Sequence, residues 1–563
     1  MKKILVVGGV AGGASAAARI RRLDENADIT IFERGPHVSF SNCAMPYYLG
    51  GAIADAEDLM MMGPEDFKAR YQINVRVEHE VMSINRADKT VTVRDVRKGR
   101  SYSEQYDVLV LSPGAQPVVP RSIEGTEFSH VFTIRNIADI TRLKQFLSDK
   151  SVDDIAVIGG GFIGIEVAEN LCYAHKHVTI VEAANQVLMP FDYDMVQILQ
   201  KECMDHGVNL IVGDGLRKIT EREIELGSGK KIQAQAVVLA IGVAPEIRLA
   251  KDADLEIGMT GGIKVNQRFQ TSDPDIYAVG DAIEVYHALT HKPSRLALAG
   301  PAQRQARAAA DSIYGVNHNH RGVISSCAVR VFGLNAAATG MNEKTAQAAG
   351  IPYDFVYTIP LDRPGSMPAA KRMHFKLLYE VPTGRILGAQ AIGEGSADKR
   401  VDVIAAMITM GADLEDLKEL ELCYSPVFGS ARDVVNQAAL VALNVLYGKV
   451  RQVPVRAVRE LVEANACIID VREETEFHSG HLLNAKNIPL SQLRDRMDEI
   501  PKDQPVYLHC QTSQRSYNAI MALQGKDFQN VWNISGSYLG ICFYEYFSDV
   551  KQDRRPIVTE YNF

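Results

Sequence analysis

The 563-residue sequence predicts an α/β protein of several domains. Two parallel, doubly wound units are expected to be followed by an α+β unit and a small C-terminal α/β unit. Three observations carry this. Two stretches near residues 4–33 and 155–182 share one pattern: a short apolar strand, a glycine turn, a helix, and a second strand closing on a glutamate. From about Arg321 the texture changes to alternating strands followed by two helical runs. Beyond Gly448–Pro454 the pattern breaks, and a further unit begins.

The first stretch runs Ile4–Val7, Gly8-Gly9-Val10-Ala11-Gly12-Gly13, a helix over Ala14–Leu23, and Ile29–Phe32 ending on Glu33. The second runs Ile155–Ile158, Gly159-Gly160-Gly161-Phe162-Ile163-Gly164, a helix to about Ala174, and Val178–Val181 ending on Glu182. Gly8 and Gly159 permit a tight turn, and Gly13 and Gly164 allow helix and strand to pack closely. The helix N-terminus then offers free N–H groups to a pyrophosphate. The acids, 25 residues after Gly8 and 23 after Gly159, fall where a ribose hydroxyl needs an acceptor. Both units are therefore expected to bind dinucleotides. Val10 departs from the usual middle glycine. Glu182, followed by Ala183-Ala184, favours NADH over NADPH, because no cation is at hand for a 2′-phosphate.

Two further strand ends follow: Tyr106–Leu111 into Ser112-Pro113-Gly114-Ala115, and Ile276–Val279 into Gly280-Asp281. The later strands are expected over Ala328–Phe332, Met373–Leu378 and Arg385–Ile392, with helices over Lys399–Met410 and Ala431–Leu446.

Composition bounds the function. With 46% hydrophobic and 23% charged residues the chain has ample core, which excludes disorder. A net charge of -8 argues against general nucleic-acid binding. No run of 18 apolar residues predicts a membrane span, and the glycines at 8 and 9 come too early for a signal peptide. Eight cysteines without a Cys-x-x-Cys pair fit a reduced, cytoplasmic protein, and no metal site is expected.

Cys43 stands in Ser39-Phe40-Ser41-Asn42-Cys43-Ala44-Met45-Pro46, ten residues after Glu33, and the next cysteine is Cys172. A redox-active Cys43 would need its partner sulfur from outside the chain. A short helix after it is expected to lower its pKa. Cys172, Cys203, Cys327, Cys467 and Cys542 lie in or beside apolar runs and read as structural.

With these motifs and Tyr424-Ser425-Pro426, residues 1–447 resemble the coenzyme A disulfide reductases, single-cysteine members of the two-dinucleotide flavoprotein disulfide reductases. The resemblance implies FAD contacts at Gly8, Val10, Ala11, Gly12, Gly13, Glu33, Arg34, Asn42, Val81, Ser112, Gly114, Arg135, Asp281, Ala299 and Ala302. It implies NADH contacts at Gly159, Gly161, Phe162, Ile163, Gly164, Glu182 and Gly242. Coenzyme A contacts are implied at Ser15, Arg19, Arg22, Ser39, Asn42, Lys68, Arg70, Tyr71 and Arg432. Tyr424 and Arg432 match a tyrosine and lysine that approach the thiol from the partner copy of a homodimer. Tyr71 stands where the family has a lysine, and Ser366-Met367-Pro368 where it often has Tyr-Tyr-Pro.

The tail, from Ile468-Ile469-Asp470-Val471-Arg472 through Gly480-His481-Leu482 to Cys510-Gln511-Thr512-Ser513-Gln514-Arg515, resembles the rhodanese-like domains. Successive N–H groups and Arg515 would hold an anionic persulfide on Cys510. Ser513 replaces the glycine often found there.

The expected domains are residues 1–115 with 243–320 (FAD), 116–242 (NAD), 321–447 (dimerisation), a linker over 448–455, and 456–563 (rhodanese-like). The expected activity is NADH-linked reduction of coenzyme A persulfide, polysulfide or coenzyme A disulfide through Cys43, with sulfur transfer at Cys510. An NADH oxidase or peroxidase cycling the same cysteine, or a redox-regulated sulfur carrier or scaffold, are the alternatives.

Overall fold

The structure, a computed structural model, describes residues 1–316 and 320–563. Residues 317–319 of the expected 243–320 segment lie outside the described residues. The chain forms two compact units, one of residues 1–185 with 211–323 and one of residues 186–210 with 324–563.

In the first unit, one all-parallel sheet has the strand order Ile276–Ala278, Val108–Leu111, Lys3–Val7, Asp28–Glu33, Asn74–Val77. A second parallel sheet contains, in order, His177–Glu182, Asp154–Ile158, Ala236–Leu239 and Val131–Phe132. Their central strands are continuous apolar runs because both faces are covered: Ile4, Leu5, Val6, Leu109 and Val110 are fully buried. An antiparallel three-stranded meander, His79–Asn85, Thr90–Asp95 and Arg100–Gln105, was not part of the sequence expectation.

The second unit holds an antiparallel sheet in the order Cys327–Val331, Leu334–Gly340, Ile386–Gly393, Met373–Glu380, Tyr353–Thr358. Helix Val434–Leu446 begins three residues later than expected, because the Asp433 side chain caps it by accepting the Val435 N–H at 3.3 Å. The unit also holds helix Tyr193–Asp205, whose Tyr193 ring meets the Tyr544 ring edge-on at 5.6 Å. Its last sheet is parallel, in the order Gln452–Val453, Val531–Ile534, Val506–His509, Cys467–Asp470, Lys486–Asn487.

Candidate active sites

The two glycine turns are built alike. Gly8 and Gly159 sit at φ +93° and +107°, which L side chains rarely adopt. A Cβ on Gly13 would lie 1.8 Å from the Gly8 carbonyl oxygen, and one on Gly164 1.9 Å from that of Gly159. Glu33 accepts the Gly9 and Gly35 N–H groups, both at 2.9 Å. Glu182 accepts those of Gly160 and Ala184, both at 2.7 Å. Each acid is thereby fixed beside its turn. Helices Ala11–Leu23 and Phe162–Tyr173 start without a side-chain cap or an acid in the first turn, so their N–H groups stay available to an anion. Val10 occupies the N-cap position of the first helix at φ -103°, so the missing glycine introduces no strain there.

Ser112, Gly280 and Ala302, also expected at FAD, lie close to the first turn or to one another. A Cβ on Gly12 would lie 2.5 Å from Ser112 Oγ, and one on Gly280 3.6 Å from the same oxygen and 3.8 Å from the Ala302 Cβ. Gln305 holds the Gly280 N–H at 2.8 Å, next to Asp281, whose carboxyl burial pushes up. Helix Ala299–Ile313 presents a third uncapped N-terminus, at Ala299. Asn42 donates to the Arg135 carbonyl at 3.2 Å, and Arg135 donates to that of Pro113 at 3.3 Å. Burial and the nearby Arg34 lower the Arg135 pKa. Arg34 lies 3.6 Å from Glu246, whose N–H donates to the Gly114 carbonyl. Val81 is buried in the meander, opposite Val93. A space cleared of Cβ atoms and edged by free N–H groups fits a dinucleotide diphosphate at each turn. Gly242, at φ +104°, follows the buried strand Ala236–Leu239 of the second sheet.

Cys43 lies in the short turn Asn42–Ala44 that leads into helix Met45–Leu49, and its residue surface is exposed. The expectation of a lowered pKa is corrected. Desolvation by the surrounding protein pushes the thiol up, and the Glu166 and Asp281 carboxylates push it the same way. A five-residue helix offers too little dipole to offset them. Helix Met45–Leu49 packs against Phe162–Tyr173, where a Cβ on Gly50 would meet Asn170 Oδ1 at 2.4 Å. Lys144 pins the same helix, donating to the Tyr48 carbonyl at 2.7 Å with its ammonium 3.5 Å over the Tyr48 ring. The Cys43 turn and the nucleotide-turn helix that carries Glu166 are thus held together. Glu166, which the sequence did not single out, is pushed up to about 7 by burial and by Glu169.

All eight cysteines are free. Cys203 and Cys542 are buried, Cys172, Cys327 and Cys467 partly so, and burial raises Cys172, Cys327 and Cys542 to about 11. Cys423, unweighed in the sequence, is exposed.

The residues expected at coenzyme A divide. Ser15, Arg19 and Arg22 do share helix Ala11–Leu23. However, Arg19 donates Nε to Asp311 at 2.6 Å and is committed to that buried acid. Arg22 lies over the Tyr71 ring at 5.5 Å, with its Nη2 3.5 Å from the Tyr71 hydroxyl. Lys68 donates to Asn74 at 3.3 Å, and Arg70 faces Asp66 at 3.6 Å on the surface. Ser39 is buried at φ +49°, its N–H on the Gly9 carbonyl. Arg21, absent from the expected set, donates to the carbonyls of Asp24, Glu25, Ala27, Tyr71 and Gln72, which fixes Tyr71 beside Arg22. Tyr424 and Arg432 belong to the second unit and are exposed.

Cys510, at the end of strand Val506–His509, is 1% exposed. Its N–H donates to Ser537 Oγ at 3.2 Å, and its carbonyl accepts the Tyr538 N–H at 3.0 Å. Ser513 caps helix Gln514–Gln524 at φ +74°, the conformation that explains the glycine usual at this place. Its hydroxyl donates to Ile534 and Ser537 at 3.1 and 3.0 Å. Arg515 makes a bidentate pair with Glu476, at 2.6 and 2.7 Å. Asp192, Asp194 and Glu343 converge as metal ligands would, but the Lys376 ammonium lies among them at 3.1, 2.8 and 2.6 Å.

Comparison with known proteins finds three matching regions along the chain. Residues 2–306 match the pyridine nucleotide-disulphide oxidoreductase family, residues 326–434 its dimerisation domain, and residues 455–542 the rhodanese-like domain. The chain is 32% identical to coenzyme A disulfide reductase of Staphylococcus aureus over 437 residues, 77% of this chain and 98% of that one. Among solved structures it is similar to reduced Bacillus anthracis CoADR-RHD, at 42% identity, TM-score 0.94, and 97% and 98% of the two chains. It is also similar to an NAD-dependent persulfide reductase from A. fulgidus, at 32% identity, TM-score 0.90, and 96% and 99% of the chains. The chain belongs to the pyridine nucleotide-disulphide oxidoreductase family, a family of enzymes, and carries a C-terminal rhodanese-like domain.

Proposed function

We propose that this enzyme uses NADH and FAD to reduce coenzyme A persulfide and coenzyme A disulfide at Cys43, and that Cys510 carries sulfane sulfur. The observation that carries the reading is the position of Cys43. It lies in a turn held against the helix of the second nucleotide turn, within the electrostatic reach of Asp281 beside the first. The names of the similar proteins, a coenzyme A disulfide reductase and an NAD-dependent persulfide reductase, support the same substrates.

In this reading the Cys43 thiolate attacks the outer sulfur of the persulfide. A Cys43–sulfur bond forms as the donor's S–S bond breaks, and coenzyme A leaves as its thiolate. With coenzyme A disulfide the same attack leaves a mixed disulfide on Cys43. FAD, when bound and recharged by NADH, would supply the electron pair needed to return Cys43 to its thiolate with release of hydrosulfide or the second coenzyme A. Glu166, near 7, is suited to exchange a proton beside Cys43 at neutral pH. Gly8–Gly13, Glu33, Ser112, Asp281 and Ala302 would hold FAD, and Gly159–Gly164 with Glu182 would hold NADH. Arg22, Tyr71 and Lys68 would grip coenzyme A.

We take the FAD domain as residues 1–115 and 243–320, the NAD domain as 116–242, the dimerisation domain as 321–447 and the rhodanese-like domain as 456–563. The matched dimerisation domain supports a homodimer in which exposed Tyr424 and Arg432 face a second copy. Among the described residues no helix is long and apolar enough to cross a membrane. The test is stoichiometry. One hydrosulfide released per NADH consumed with coenzyme A persulfide supports the reading; NADH loss that follows oxygen instead would assign the chain to the oxidases.

A further inference from the structure

Two arginines flank the Cys510 loop, and each is closed on a carboxylate. Arg515 gives Nη1 and Nη2 to the two oxygens of Glu476 at 2.6 and 2.7 Å. Arg472, 1% exposed, gives Nε and Nη2 to Asp470 at 3.0 and 2.6 Å. Arg515 also reaches the Cys510 thiol, and Arg472 Nη1 donates to Gln511 Oε1 at 3.2 Å. Gln511, Thr512, Ser513 and Gln514 carry no charge. His509, buried below the loop, has its pKa lowered by desolvation and is neutral at pH 7. The fixed charge at the mouth therefore sums to zero, although two guanidinium groups are present. Among the described residues, both guanidinium groups that a dianion meets at Cys510 are already matched by carboxylates.

We infer that Glu476 is a specificity-determining residue of the Cys510 site: by neutralising Arg515 it disfavours dianionic sulfur donors such as thiosulfate and favours thiol persulfides, whose S–S group carries at most one negative charge. The inference rests on the reading that Cys510 carries sulfane sulfur. With a persulfide donor, Cys510 thiolate bonds to the outer sulfur, the donor S–S bond breaks, and the carrier leaves as a thiolate with its electron pair. The proton stays on the transferred sulfur. With thiosulfate the same attack expels sulfite, whose two negative charges must be held at the loop throughout.

Glu476 is also the third residue of helix Glu474–Ser479, where it accepts the Glu473 N–H at 3.2 Å. A glutamine keeps that bond, so Glu476→Gln removes charge and retains the cap. In the full-length protein, the ratio of kcat/KM for thiosulfate to that for mercaptoethanol persulfide should rise by about fivefold or more in Glu476→Gln. That gain should shrink as KCl is added. Gln514→Lys, which adds a cation at the exposed start of helix Gln514–Gln524 and leaves the Arg515–Glu476 pair intact, should move the ratio the same way. NADH-linked reduction of coenzyme A disulfide reports folding of both variants. An unchanged ratio in the folded variants, or a rise indifferent to salt, would overturn the inference. Cys510→Ser separates the two levels: if transfer from both donors survives it, the sulfur-carrier reading itself fails.

Discussion

The Arg19 guanidinium lies on the Asp311 carboxylate, Nε and Nη2 both at 2.6 Å from the same oxygen. Asp311 is 4% exposed, so this pair ties helix Ala11–Leu23 to helix Ala299–Ile313. Arg19→Ala should therefore cost on the order of 2 kcal/mol of stability, because a buried acid loses its main partner. Chemical denaturation measures it, and an unchanged midpoint would free Arg19 for the ligand.

Arg22 is the better candidate for coenzyme A. It is held over Tyr71 by a weak cation–π contact rather than by a carboxylate. Arg22→Ala should raise the KM for coenzyme A persulfide by about tenfold, the loss of one charge-assisted hydrogen bond, with little change in stability. An uncharged small persulfide should be nearly indifferent. Equal losses for both substrates would place Arg22 in the fold.

Glu182 accepts two N–H groups of its own turn, which aims the carboxylate into the nucleotide space. A 2′-phosphate would be repelled there, so kcat/KM for NADH should exceed that for NADPH by on the order of tenfold or more. Steady-state kinetics with both nucleotides decides it. Parity would show that Glu182 faces elsewhere when the nucleotide binds.

How far the sequence could be read depended on how local each feature is. The glycine turns and their acids were legible because a turn, a helix start and a strand end are set by neighbours in the chain. The Cys510 loop was legible for the same reason. The Arg19–Asp311 pair was not legible because Asp311 is 292 residues away and nothing near Arg19 announces it. Glu166 and Glu476 were missed because their significance comes from what they face, Cys43 and Arg515, and each sits in an otherwise ordinary helical stretch. The strands Leu334–Gly340 and Tyr353–Thr358 escaped because the first is rich in alanine and glycine and the second lacks clean alternation.

The two thiols proposed to handle sulfur, Cys43 and Cys510, should separate by mutation. Cys43→Ser should retain bound FAD, read from its visible spectrum, and lose NADH-linked reduction of both coenzyme A substrates. Cys510→Ser should keep that reduction and lose sulfur transfer. Persulfide-dependent NADH oxidation surviving in Cys43→Ser would move the chemistry to another group.

The acidity of Cys43 sets the last prediction. Burial, Glu166 and Asp281 together hold its thiol above the ordinary value of 9.0, so the reactive thiolate is a minor form at neutral pH. A pKa raised in this way means that the rate of attack should climb as pH rises from 7 toward the alkaline range. Glu166 itself titrates near 7, and as it ionises it adds a negative charge that opposes ionisation of the thiol. Glu166→Gln removes that charge, so the alkaline limb of the single-turnover rate with coenzyme A disulfide should move to lower pH, with more thiolate at pH 7. Glu166→Asp, which keeps the charge, should leave the limb near its original position. The comparison distinguishes an electrostatic effect from a packing defect, because a merely loosened helix would lower the rate in both variants without moving the midpoint. A profile unchanged in Glu166→Gln would show that desolvation and Asp281 raise the thiol without Glu166.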